Sequence, residues 1–236
     1  SLAIPKDFTD DALEALYEGL GAHARAHNVV ILGGDTTRSL GPLIINIAVV
    51  GEVPEGEVLL RSGAREGDRI FVSGPLGDAA AGLHALFAAH NDDLAHRLTK
   101  RHQAPRPRLT LGRALAATGQ VHAAIDLSDG LSTDLGHILH RSAVGAIVNA
   151  GAIPLSDDLQ SYGAREGLDT IRLALDGGED YELLICGDAS LGEHFAELSD
   201  IGEIVASKEP LGLIRHPDGT TEPLTSQGWD PFSKEI

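Results

Sequence analysis

The segment AIDLSDG (124–130) places two carboxylates and a hydroxyl, those of Asp126, Ser128 and Asp129, between an apolar run and a glycine. Oxygen-rich clusters suit a hard divalent cation such as magnesium, which prefers octahedral oxygen ligands and keeps several of its waters. One or two carboxylates plus phosphate oxygens complete such a shell, so the chemistry on offer is the handling of a phosphorylated substrate. Helix capping by Ser128 or Asp129 is the plainer use of these residues, but it leaves Asp126, beside an apolar strand, without a task. A second carboxylate, Asp35, follows a glycine pair in GGDTT (33–37), where the backbone can approach a ligand; an ordinary hairpin turn has the same composition. DGGEDYE (176–182) gathers four acids around another glycine pair and by itself reads as a charged hairpin. SGPLGD (73–78), ahead of strong helix formers, offers either free backbone amides for a phosphate or a plain loop, and it matches neither GxGxxG nor GxxxxGKS/T.

These residues have to be held by the elements around them. Leu13, Leu16, Tyr17 and Leu20 recur at helical spacing between Thr9 and His27, with Thr9 as the N-cap and Asp10 and Asp11 at the positive end of the dipole. VVIL (29–32) and LIINIAVV (43–50) predict two strands joined by a polar loop, and residues 69–73 predict a third. SGPLGD then leads into a helix, and two further helices are expected over 92–101 and 108–118, separated by a proline-held connection. VHAAI (121–125) reads as a strand and 131–141 as a helix with Leu131, Leu135, Ile138 and Leu139 on one face, so the acids sit in a strand-to-helix turn. GAIVNA (145–150), YELLIC (181–186), IGEIVA (201–206) and LGLIRH (211–216) read as strands, with a helix near 191–198 and an irregular tail. The class is α/β in the broad sense, mixed α+β, with a boundary near 52–67 where Gly, Pro and charge accumulate.

Eighteen Lys and Arg against 35 Asp and Glu give 236 residues a formal charge of -17, which argues against nucleic acid or an anionic membrane as partner. A phosphorylated substrate remains compatible if divalent metal supplies the positive charge. The single cysteine, Cys186, lies in an apolar run and permits no intramolecular disulfide, which predicts a core residue in a reducing, cytoplasmic setting. No apolar run approaches the ~18 residues that span a bilayer, and the start SLAIPKDF lacks a signal-peptide pattern.

In chain order, GGDTTRS (33–39), LLRSGAREGD (59–68), SGPLGDAAAGL (73–83), AIDLSDGLSTDLGHI (124–138), GGEDYELL (177–184) and GWDPF (228–232) resemble the thiamine-monophosphate kinases. That family is grouped with aminoimidazole ribonucleotide synthetase and selenophosphate synthetase. The resemblance implies transfer of the ATP γ-phosphoryl group to thiamine monophosphate, giving thiamine diphosphate and ADP without an enzyme-bound phosphate. It implies Asp35, Asp126 and Asp129 as Mg2+ ligands, Gly34, Asp35, Arg61 and Ser128 as ATP contacts, and Glu179 and Trp229 as contacts to the thiamine monophosphate. It further implies two domains of aminoimidazole ribonucleotide synthetase-like architecture: residues 1–55 as the C-terminal part of an ATP- and metal-binding, dimer-forming domain, and 56–236 as the C-terminal α/β domain. The family carries further acidic motifs, of GDDA and NLSD type, ahead of the position matching Ser1, and neither occurs in this chain. The first domain is therefore expected to be incomplete, the chain at most weakly active, and a homodimer to belong to the complete enzyme. Another ATP-dependent member of the superfamily and a catalytically silent nucleotide- or metal-binding module are the alternatives; GGEDYEL and Trp229 favour the kinase.

Overall fold

A computed structural model describes residues 1–209 and 211–225 of the chain. The chain divides into two compact units, Ser1–Val53 and Pro54–Ile236.

In the first unit, β1 (Leu2–Ile4) is followed by α1 (Asp10–Ala26), β2 (Thr36–Arg38) and β3 (Ile44–Ile45), and β1 lies between a parallel β2 and an antiparallel β3. The expected helix forms: the Thr9 hydroxyl accepts a hydrogen bond from the Ala12 N–H at 3.2 Å, satisfying one of the donors that a helix start leaves free. The two expected strands do not form as drawn. Residues 29–32 are irregular, only Ile44–Ile45 of the second run is a strand, and Thr36–Arg38, expected as loop, pairs with β1. A β-branched run becomes a strand only where a neighbour takes its backbone hydrogen bonds, and β1 accommodates two neighbours. Val30, Leu32, Ile47, Val49 and Val50 are left exposed.

The second unit is built on β4 (Arg69–Val72), α2 (Asp78–Phe87), α3 (Asp93–Gln103), α4 (Leu109–Ala117), β5 (Val121–Asp126), α5 (Leu131–Ser142) and β6 (Gly145–Asn149). Then follow α6 (Asp157–Glu166), α7 (Thr170–Asp176), β7 (Leu183–Gly187), α8 (Leu191–His194), β8 (Ser199–Val205), β9 (Gly212–Arg215) and β10 (Thr221–Leu224). One sheet runs β10-β9-β6-β8-β4-β7-β5, antiparallel throughout except for the β6–β9 pair. Side chains alternate across it with the period of two expected of strands. Ile70, Val72, Leu184 and Cys186 face Leu131, Leu135, Ile138 and Leu139 of α5, while Phe71 and Ile185 join Leu115 of α4 and Leu191 of α8. A further apolar cluster, including Ala81, Leu98, Leu159 and Tyr162, ties α2, α3 and α6 together. Cys186 is the core residue expected of it, and burial pushes its thiol well above the ordinary range.

Residues 156–176 carry two helices that composition alone did not announce. Their start signals are in place, since Ser156 accepts from the Leu159 N–H at 2.9 Å and Asp169 caps α7 through the Ile171 N–H at 3.0 Å. The strand expected over 181–186 begins two residues later, because Tyr181 has a φ of 52°, which no strand residue adopts.

Candidate active site

The second unit builds its acidic centre where β5 runs out. Asp126 ends the strand with its side chain exposed, Leu127 is buried, and Ser128 and Asp129 are half-buried. β7 lies antiparallel to β5, with Asp126 opposite Leu183, and the pairing continues beyond both strands into their loops. The Leu127 N–H donates to the Glu182 carbonyl at 2.8 Å, the Tyr181 N–H to the Leu127 carbonyl at 2.9 Å, and the Glu179 N–H to the Ser128 carbonyl at 2.9 Å. The two acid-rich turns, 50 residues apart in the chain, are thereby one structure. Two glycines permit the approach: a Cβ on Gly178, whose φ is 65°, would sit 2.6 Å from the Ser128 carbonyl oxygen, and one on Gly130 would sit 2.9 Å from that of Leu175.

Ser128 and Asp129 do not cap α5. Its N-cap is Gly130, which provides no side-chain bond, and the Ser128 and Asp129 N–H groups are both taken by the carboxylate of Asp134, each at 3.0 Å. Asp134 is fully buried, and burial with the nearby charges of Asp129 and Asp126 raises it to about 6 against the pull of those two amides. The backbone is thus held from within by Asp134, and the Ser128 and Asp129 side chains are released from structural duty. Asp134 was not singled out in the sequence, although an acid in the first turn of a helix just after the acidic turn was a readable signal.

The acids of the second turn divide differently. The Asp180 carboxylate accepts from the Gly77 and Ala79 N–H groups at 2.7 and 3.1 Å, filling the N-terminus of α2. The SGPLGD loop therefore has a carboxylate of its own chain where a phosphate was considered. Burial drives Asp180 up to about 7, opposed by the two amides and assisted by Asp78 and Glu182. Glu182 is buried, bonded by the Arg108 guanidinium through Nε at 2.7 Å and through Nη2, and by the Ser73 hydroxyl at 2.5 Å. Asp176 accepts from the Ser132 hydroxyl at 2.6 Å. Glu179 alone of the four is exposed, and the Tyr181 hydroxyl lies 3.4 and 3.5 Å from its two carboxylate oxygens.

Of the residues singled out in the sequence, Asp126, Ser128, Asp129 and Glu179 are brought together here. Arg61 is exposed in the same unit, directly after Leu60, whose carbonyl accepts from the Ala124 N–H of β5 at 2.8 Å. Gly34 and Asp35 are exposed in the first unit, ahead of β2. Trp229 lies outside the described residues. The donors left free in this centre, two carboxylates and a hydroxyl, fit a hard cation that takes oxygen ligands. The Asp129 and Asp134 carboxylates and the His137 ring place ligand atoms within 4.8 Å of one another. A separate cleft of about 290 Å³, lined by Asp169, Arg172, His216 and Glu222, is a different case: Glu222 binds Arg172 at 2.7 Å and lies 3.3 Å from His216, and Asp169 caps α7, so its polar groups are engaged within the chain.

The paired-turn site on a mixed sheet belongs to a defined class. Residues 1–53 match the AIR synthase related protein N-terminal domain, and residues 65–210 match the AIR synthase related protein C-terminal domain. Within that class the chain is 39% identical to thiamine-monophosphate kinase of Salmonella typhimurium, covering 94% of this chain and 69% of the relative. It is also 39% identical to that of Escherichia coli, covering 99% and 73%. The structure of AaThiL complexed with AMPPCP and TMP superposes with a TM-score of 0.81 at 27% identity, over 98% of this chain and 72% of that one. The chain belongs to the thiamine-monophosphate kinase family.

Proposed function

We propose that this chain phosphorylates thiamine monophosphate to thiamine diphosphate with ATP, by direct phosphoryl transfer. A phosphate oxygen of thiamine monophosphate bonds to the γ-phosphorus as the bond from that phosphorus to the β-phosphate oxygen breaks, and ADP leaves with the bonding pair. The acceptor phosphate is already an anion, so the step needs alignment and charge neutralisation more than a base. The observation that carries the reading for this chain's own residues is the fusion of the two turns, which leaves Asp126 and Asp129 free and Glu179 exposed beside the Tyr181 hydroxyl, while Asp134, Asp176, Asp180 and Glu182 are engaged. The family membership and the AMPPCP and TMP of the solved relative agree with it.

Asp126 and Asp129 are suited to hold Mg2+, and Asp35 is assigned to the same task in the first unit by the resemblance. When bound, the metal neutralises phosphate charge and aligns the two phosphoryl groups. The Ser128 hydroxyl, Arg61 and Gly34 are placed on the ATP side. Glu179 and Trp229 are placed on the acceptor side, where a cationic thiazolium ring calls for a carboxylate and an aromatic face. Residues 1–55 and 56–236 are proposed as the two domains. The apolar side chains exposed in the first unit, Val30, Leu32 and Val50 among them, support a homodimer. Among the described residues no helix is long and apolar enough to cross a membrane, and the lone buried cysteine supports a cytoplasmic setting.

Incubating the chain with thiamine monophosphate and Mg2+-ATP and measuring thiamine diphosphate tests the reading. Product whose formation depends on Mg2+ and is lost in Asp126→Asn supports it. Tight binding of nucleotide with no product, under conditions where the Escherichia coli relative turns over, would favour a silent binding module.

A further inference from the structure

The loop that carries Glu179 is wound the wrong way for its residues. Gly178, Glu179 and Tyr181 have φ of 65°, 62° and 52°, a left-handed conformation natural for glycine and unfavourable for a glutamate and, still more, for a bulky tyrosine. Such a conformation persists only where the surroundings over-determine it. They do so here: the Glu179 and Tyr181 N–H groups are bonded to the Ser128 and Leu127 carbonyls, Asp180 is clamped on the start of α2, and Glu182 is held by Arg108 and Ser73. Asp180 and Glu182 are thus turned inward while Glu179 and Tyr181 are presented together on the other side. The Tyr181 hydroxyl straddles the two oxygens of the Glu179 carboxylate at 3.4 and 3.5 Å. The charges of Glu179, Asp126 and Asp129 all act on the phenol, which places it among the acids of the site.

We propose that Tyr181 is a positioning residue for the phosphoryl acceptor: its hydroxyl fixes the Glu179 carboxylate in the orientation that receives a cationic acceptor, and the strained loop exists to set the two side chains face to face. The inference rests on the acceptor-side reading of Glu179. A carboxylate on an exposed loop samples several rotamers, and a donor shared between both oxygens restricts them, so less freedom is lost when the acceptor binds. The long contacts suit this role, since a donor that bonded one oxygen tightly would compete with the ligand for it.

Steady-state kinetics in the full chain, varying thiamine monophosphate and ATP separately, test this in three variants. Tyr181→Phe removes only the hydroxyl, and it is expected to raise KM for thiamine monophosphate about 3- to 10-fold, the scale of one long, weak hydrogen bond, with kcat and KM for ATP within twofold. Tyr181→Asn, whose residue tolerates the left-handed conformation, should keep or raise the melting temperature while raising the acceptor KM by a similar factor. Glu179→Gln should raise the acceptor KM at least as much, and the Tyr181→Phe/Glu179→Gln double variant should be no worse than the larger single effect. If Glu179→Gln raises the acceptor KM and Tyr181→Phe does not, the positioning role is wrong and the reading of Glu179 survives. If Glu179→Gln leaves it unchanged, that reading fails and takes this inference with it. Equal rises for ATP and acceptor in Tyr181→Phe, or loss of melting temperature with both in Tyr181→Asn, would make the tyrosine a packing residue and overturn the proposal.

Discussion

The turn after β5 and the turn before β7 are both rich in acids and glycine, yet they use their carboxylates in opposite ways. After β5, Asp126 and Asp129 are free because a single buried residue from the following helix, Asp134, ties down the Ser128 and Asp129 amides. Before β7, Asp180 and Glu182 do the structural work, on the start of α2 and on Arg108 with Ser73, and Glu179, directly ahead of them, stays exposed with only the long contacts of the Tyr181 hydroxyl. A carboxylate becomes available for chemistry only when some other group satisfies the backbone and buried cations around it. Acid count in a turn therefore says little about function until the partners are known.

Four expected outcomes press on this division, the first three in decreasing order of their effect on stability. Glu182→Ala should cost most, about 3 kcal/mol in denaturant unfolding, because it strands a half-buried guanidinium and the buried Ser73 hydroxyl together. A loss under about 1 kcal/mol would show that the Arg108 charge is hydrated instead. Gly178→Ala should cost about 2 kcal/mol, since the new methyl meets the Ser128 carbonyl in a left-handed backbone, and it should depress turnover as well. Asp126→Asn should change stability by no more than about 0.5 kcal/mol, as for a surface residue with no buried partner. The same variant should lower Mg2+-dependent turnover about a hundredfold or more. A large melting-temperature loss with unaltered metal dependence would move Asp126 to the structural side of the comparison.

The fourth outcome concerns pH. Burial raises Asp180 from its ordinary 3.8 to about 7, so the folded protein holds this proton to higher pH than the unfolded chain does. Its contribution to stability is complete below 3.8 and declines as pH rises toward about 7. Asp180→Asn should flatten that part of a melting-temperature profile. An unchanged slope between those limits would assign the dependence to other groups.

Much of the scaffold was legible in the residues themselves. The helical spacing of Leu131, Leu135, Ile138 and Leu139 and the apolar run ending at Cys186 announced a helix and a strand, both formed within a residue or two of expectation, and the structure shows that they meet in one core. Thr9 announced a cap that is present. These signals are local: a hydroxyl capping the next turn, or apolar groups repeating every 3.6 or two residues, depends on neighbours in sequence. The ordered motifs likewise pointed to the family, because each is a short run whose residue types are read directly.

What only the tertiary structure decided is which partners those residues meet. VVIL has the composition of a strand and remains irregular, because a strand is defined by a neighbour's hydrogen bonds. SGPLGD has the composition of an anion-binding loop, yet Asp180, about a hundred positions later in the chain, occupies its amides. Ser128 and Asp129 have the composition of helix caps, and it is Asp134 that takes their amides. The sequence by itself determined that acids and glycines would gather at the ends of strands. The fold determined which of them are spent on holding the loops together and which stand free for phosphate chemistry, because hydrogen bonds and ion pairs between distant segments exist only once those segments have packed.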